Sequence, residues 1–169
     1  MGYKRTSELL NIGAALDAVD GTPTTTTITL PLSSLDREIF VVTDIQIDTE
    51  RLNAQAAPGF AALSVSVNKT STSALTINNP NCLGSSAKSI ETTALGYIYQ
   101  QSRQPDESST GQMADYIGII ATPNFVLAAN FVTTAGGASN RAVYARVTGY
   151  RAKADADTYA ALVTEEINQ

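Results

Sequence analysis

Residues 37–50, REIFVVTDIQIDTE, decide the fold. In an extended chain Ile39, Val41, Ile45 and Ile47 fall on one side with Thr43 between them, while Asp44, Gln46 and Asp48 fall on the other. The alternation has period two and its apolar side is rich in β-branched residues, the pattern of a strand with one buried face. Phe40 and Val42 add bulk to the second side near the start, so that end is expected to be covered on both faces. A strand this long needs paired neighbours and a second layer to hide its apolar side.

The neighbours are readable on both sides of it. Residues 24–30, TTTTITL, are β-branched and almost uncharged, and Pro31 ends them, which suits an edge strand. In residues 60–70, Leu63, Val65 and Val67 alternate with Ser64, Ser66 and Asn68, giving one core face and one wet face. A turn at 71–73, a short returning strand at 74–77 and a loop to Lys88 are expected next. Extended structure resumes over 89–101, 113–122, 125–133 and 141–153, with 134–140, TAGGASN, as a hairpin connection. Phe125, Leu127, Ala129 and Phe131 share one face, and Val143, Ala145 and Val147 point inward.

The two ends change period. Leu9, Ile12, Leu16 and Val19 keep helical spacing and predict a short helix over 6–19, stopped by Asp20-Gly21-Thr22-Pro23. Ala156, Tyr159, Ala160, Val163 and Ile167 predict a second helix, with Asp155 or Asp157 capping its start. The chain therefore reads as an N-terminal arm or helix (1–23), a sandwich (24–153) and a C-terminal helix (154–169). The fold class is all-β: an antiparallel two-sheet sandwich, a jelly roll of about eight strands, with an immunoglobulin-like sandwich as the competitor.

Composition narrows the function. The 169 residues carry a net charge of −5, which disfavours a protein built to neutralise phosphates. No apolar run approaches the roughly 20 residues of a membrane-spanning helix, and the interrupted segment after Lys4 and Arg5 is not a secretion signal. One cysteine, Cys82, excludes an internal disulfide, and the absence of histidine removes Ser-His-Asp and Cys-His mechanisms and histidine-bearing zinc sites. Cys82 near Lys88 lacks an adequate base, so it reads as an exposed or half-buried structural thiol. Asp44, Asp48 and Glu50 share a strand face where calcium would require further loop oxygens, and the plainer reading is a solvated face. Asn68-Lys69-Thr70 matches the glycosylation sequon, a pattern common by chance.

Tyr144, Arg146, Thr148 and Tyr150 alternate on one face, beside Arg141, Arg151 and Lys153. Aromatics interleaved with cations serve single-stranded nucleic acid binding or a subunit interface. An acidic chain without a basic arm favours the interface. The strands REIFVVTDIQID, FAALSVSVN, YIGIIATP, FVLAANFVTT and RAVYARVTGYRA, joined by polar loops rich in Thr, Ser, Ala and Asn, give an arrangement that resembles single jelly-roll capsid and virion proteins of viruses and phages. The likeness covers residues 24–153 and rests on architecture, with no diagnostic motif. It departs from many such proteins in having only Lys4 and Arg5 before Glu8 where a basic arm would be.

That resemblance implies a non-enzymatic structural protein that assembles with itself, and with other virion proteins, in the host cytoplasm into a virion. It implies no cofactor, no metal and no membrane. Phe40, Val42, Tyr97, Tyr99, Tyr144, Arg146 and Tyr150 are the expected contact residues. A ligand-binding sandwich, for carbohydrate or a receptor, is the second reading, with seven tyrosines but no tryptophan to supply an aromatic platform. Single-stranded nucleic acid binding is the third.

Overall fold

The computed structural model describes residues 3–53, 58–103, 116–134 and 140–168. Strands β1 (Tyr3–Arg5), β2 (Leu10–Ala18), β3 (Thr24–Thr29), β4 (Glu38–Thr49), β5 (Gly59–Asn68), β6 (Cys82–Thr92), β7 (Ile98–Arg103), β8 (Gly118–Ile120), β9 (Asn124–Thr133) and β10 (Arg141–Ala154) precede one helix, α1 (Ala156–Ile167). They form two five-stranded antiparallel sheets. In the first, β10 pairs with β4, and β4 with β8, while β1 and β2 share the other edge of β10. The second runs β3-β9-β5-β6-β7.

The pairs are nested. Hairpin β5–β6 is innermost, and around it close β4–β8, β3–β9 and β2–β10. Pairs β4–β10 and β5–β9 join the nested pairs within each sheet. An antiparallel ribbon folded over in this way is the jelly-roll winding. Strands β1 and β7 are additions at its edges.

The central strand contains a feature that simple alternation does not predict. Thr148 faces Asp44, but Gly149 faces Val42, so Thr43 is one residue too many on β4. This β-bulge inverts the side-chain parity. Phe40 and Val42 before it, and Ile45 and Ile47 after it, all enter the core between the sheets. Ile39 and Val41 instead turn to the outer face, where they pack with Ile119, Ala152, Ala154 and the helix residues Tyr159, Leu162 and Val163. The expectation of cover on both faces holds at this end, although Ile39 and Val41 do not share a side with Ile45 and Ile47.

Gly149 makes the bulge possible. A Cβ there would lie 2.7 Å from Phe40 Cε1 and would also strike the Val41 carbonyl oxygen.

The N-terminal segment is corrected from helix to strand. Leu10, Ile12, Ala14, Leu16 and Ala18 alternate inward along β2. Ile12 and Leu16 satisfy both periods, and the uncovered edge of β10 supplies the partner that selects the extended one. Residues 74–77 are not a strand, whereas 82–88, expected as loop, begin β6. Buried side-chain amides organise the intervening loop. Asn68 Nδ2 donates to the Ser71 and Ser73 carbonyls at 2.9 and 2.8 Å, and Asn81 Oδ1 accepts from the Thr70 and Ser71 amides at 3.0 and 2.9 Å. The strand expected over 89–101 is broken by Gly96, whose φ of 81° turns β6 into β7. Strands β9 and β10 lie in different sheets and do not form the expected hairpin, and residues 135–139 between them lie outside the described residues.

Helix α1 forms where expected. Asp155 caps it, its carboxylate accepting the Thr158 amide at 2.8 Å, an interaction that holds its pKa below the ordinary value. Glu166, 1 % exposed, anchors the other end. Its Oε1 and Oε2 accept the Ala121 and Thr122 amides at 2.7 and 2.9 Å, tying the helix to the turn between β8 and β9.

Two substitutions test this account. Gly149→Ala is expected to lower stability by about 2 kcal/mol or more through overpacking, read as a fall in the urea midpoint. Glu166→Gln leaves one buried amide without its acceptor and should cost about 2 kcal/mol by the same measurement.

Candidate interaction surfaces

Two exposed surfaces stand out. The first is the open half of the outer face of the first sheet, beyond the part that α1 covers. Strand pairing sets its side chains in rows: Ala15, Tyr144 and Asp48; then Gly13, Arg146 and Gln46; then Asn11, Thr148 and Asp44. Inverted parity after the bulge is what brings Asp44, Gln46 and Asp48 onto this face. Gly13, Ala15, Gln46, Asp48, Tyr144 and Arg146 surround a shallow trough of about 610 Å3. Tyr144 stands 54 % exposed in it. A side chain at Gly13 would meet nothing within 4 Å, so the floor is open there. Among the described residues Arg146 has no carboxylate within ion-pair distance.

The second surface is the β6–β7 hairpin. Thr93 shapes its tip: its amide donates to the Tyr97 carbonyl at 2.9 Å, and its hydroxyl accepts the Tyr97 amide at 3.1 Å. Leu95, Tyr97, Ile98 and Tyr99 there are 84 %, 64 %, 57 % and 60 % exposed. Four large apolar residues within five positions are thus exposed on this hairpin, with Ile98 and Tyr99 on opposite faces of β7.

The expected contact residues therefore divide. Tyr97, Tyr99, Tyr144 and Arg146 are exposed. Phe40 and Val42 are fully buried in the core and cannot meet a partner in this fold. Alternation alone placed them outside because it could not show the bulge. Tyr150 lies on the same face as Tyr144 but is half-buried, packed against the α1 cluster with the Arg5 guanidinium 4.7 Å from its ring centre. Ile98, Gln46 and Gly13 were not singled out in the sequence. Gln46 and Gly13 become visible as site residues only through register.

The basic and aromatic stripe also divides. By strand parity Arg141, Arg151 and Lys153 belong to the opposite face of β10 from Tyr144. Arg151 lies 3.7 Å from Glu38 and Lys153 lies 3.9 Å from Asp36. The Arg141 guanidinium packs 5.4 Å from the Phe131 ring centre.

Other candidate chemistry is absorbed by the fold. Glu50 Oε2 accepts the Ala142 amide at 3.1 Å, and no group of three acidic or cysteine side chains able to hold a metal occurs among the described residues. Asp20 accepts the Thr133 amide at 2.9 Å. Asn68 of the sequon is buried. Cys82 is also buried, not exposed or half-exposed as its polar surroundings suggested, and Lys88 Nζ donates to the Thr49 carbonyl at 3.1 Å. No helix among the described residues is long and apolar enough to cross a membrane.

Comparison with known protein families, with curated proteins and with solved structures finds no match.

Burial of Cys82 makes a direct prediction. In the native protein it should react with a charged aromatic disulfide reagent far more slowly than after denaturation in guanidinium. Equal rates in the two states would contradict its placement.

Proposed function

We propose that this protein is a non-enzymatic structural subunit that assembles with copies of itself, as part of a virion shell, and that the β6–β7 hairpin makes the principal contact. The observation that carries this reading is the exposure of Leu95, Tyr97, Ile98 and Tyr99 on one hairpin at the edge of the second sheet. An isolated molecule would leave this patch in water, and burying it against a second copy removes that cost. Tyrosine suits such a contact because its ring supplies area while its hydroxyl remains compatible with a wet rim.

The jelly-roll winding supports the virion reading as an architecture that such shells use, but lectin domains and enzymes use it as well. In this reading other virion proteins are further partners. The single-stranded nucleic acid reading receives less support. Among the described residues Arg146 is the one cation in the rows around Tyr144, with Arg5 farther along the same face over Tyr150, and three carboxylates, Asp44, Asp48 and Asp17, lie in or beside those rows.

Light scattering over a concentration series tests the proposal. The natural chain should form discrete multimers or shells. The combined variant Tyr97→Ser, Ile98→Ser, Tyr99→Ser should shift to the 17.8 kDa monomer while keeping its far-UV circular dichroism. Loss of such anchors is expected to weaken association by about 100-fold or more. A natural chain that stays monomeric at high concentration would overturn the assembly reading, and an unchanged multimer in the variant would exclude the hairpin.

A further inference from the structure

We propose that the open outer face of the first sheet is a binding site for a neutral saccharide, centred on Tyr144 and Arg146. This surface is separate from the β6–β7 hairpin, and the inference does not rest on assembly.

Rigid backbone positions the residues. Tyr144 has Ala15 directly across one strand boundary and Asp48 across the other, and Arg146 has Gly13 and Gln46 in the same places. At strand spacing these six positions cover about 10 Å across the sheet and about 7 Å along it, the footprint of one or two sugar rings. Small residues on the β2 side leave the floor low, and the trough of about 610 Å3 lies within the usual size of a small-ligand site.

The chemistry matches a polyol with one apolar face. The Tyr144 ring, 54 % exposed on a central strand, offers a flat surface on which the C–H face of a pyranose can lie. Arg146 offers fixed donors, Asp48 offers acceptors, and Gln46 offers both. Together they can satisfy neighbouring hydroxyls that each donate and accept. Arg146 has no carboxylate within ion-pair distance among the described residues, so its donors need not be released from an internal salt bridge.

Charge selects the class of sugar. Among the described residues Asp44, Asp48 and Asp17 surround one guanidinium in the rows about Tyr144, and Arg5, farther along the face over Tyr150, is paired with Glu8, so the local field is negative and disfavours sialylated or sulfated chains. The same field disfavours nucleic acid. A second copy is also a poor occupant, because two-fold pairing would bring the carboxylates of one face against those of the other.

The experiment uses the full chain made monomeric by the hairpin triple substitution, or the natural chain if that is itself a monomer. Amide resonances are followed during titration to millimolar concentration with maltohexaose, cellohexaose, mannohexaose and N-acetylchitohexaose, with sialyllactose as the acidic control. At least one neutral oligosaccharide should shift the amides of Gly13, Ala15, Gln46, Asp48, Tyr144 and Arg146. Tyr144→Ala should weaken that binding about tenfold or more, while Tyr144→Phe should retain most of it. Gly13→Val should raise the floor and obstruct the site; the added Cβ meets no atom within 4 Å, and unchanged far-UV circular dichroism checks that the fold is kept. No shift with any neutral sugar, shifts confined to another surface, preference for sialyllactose, or binding indifferent to Tyr144→Ala would each overturn the proposal. Because the titration is read on a monomer, failure of the assembly reading leaves its result unchanged.

Discussion

Where β4 pairs with β10, one extra residue reverses the direction of every side chain that follows it. Thr43 is that residue, and its hydroxyl donates to the Thr148 carbonyl at 3.2 Å across the same irregularity. Phe40, Val42, Ile45 and Ile47 can then all enter one core, although no regular strand could aim both pairs inward. Gly149 is the matching concession on β10, because only a residue without a side chain lets the Phe40 ring pass so close to its backbone.

The rest of the first sheet's outer face follows from this reversal. Ahead of the bulge, Ile39 and Val41 point outward and require cover, which α1 supplies through Tyr159, Leu162 and Val163. Beyond it, Asp44, Gln46 and Asp48 point outward and require none. One strand therefore creates a covered half and an open half. Asp155 caps the start of this cover by accepting the helix's own Thr158 amide, and Glu166 holds the other end in place by accepting the Ala121 and Thr122 amides. Hydrophobic area favours docking of the helix, and the buried carboxylate fixes where it docks.

The second sheet manages its surface differently. The loop after β5 is ordered by side-chain amides, with Asn68 and Asn81 satisfying backbone groups that have no strand to pair with. Across the sheet, β7 extends the edge and carries the exposed apolar hairpin. The molecule thus offers two chemically unlike surfaces. One is an exposed apolar hairpin. The other is a flat polar trough with an aromatic centre.

By itself, the sequence determined the fold class, the strands with long one-faced alternation, and the C-terminal helix, with its cap narrowed to Asp155 or Asp157. Those signals are local: β5 and β9 declare their buried faces through residues two apart, and α1 through residues three and four apart. Of the candidate contacts drawn from sequence, Tyr97, Tyr99, Tyr144 and Arg146 are exposed. Only the tertiary structure decided the rest. Segment 10–18 carries apolar positions compatible with two periods, and the free edge of β10 selected the strand. The start of β6, CLGSSAK, lacks β-branched residues and reads as loop, yet its small residues suit a close approach between sheets: a Cβ on Gly84 would lie 3.3 Å from Ile45. Register across β2, β10 and β4 assembled the trough from three segments that are far apart in the chain, around residues 13–15, 46–48 and 144–146. The bulge that placed Phe40 inside and Asp48 outside exists only as a mismatch between two paired strands, so neither strand's own sequence could announce it.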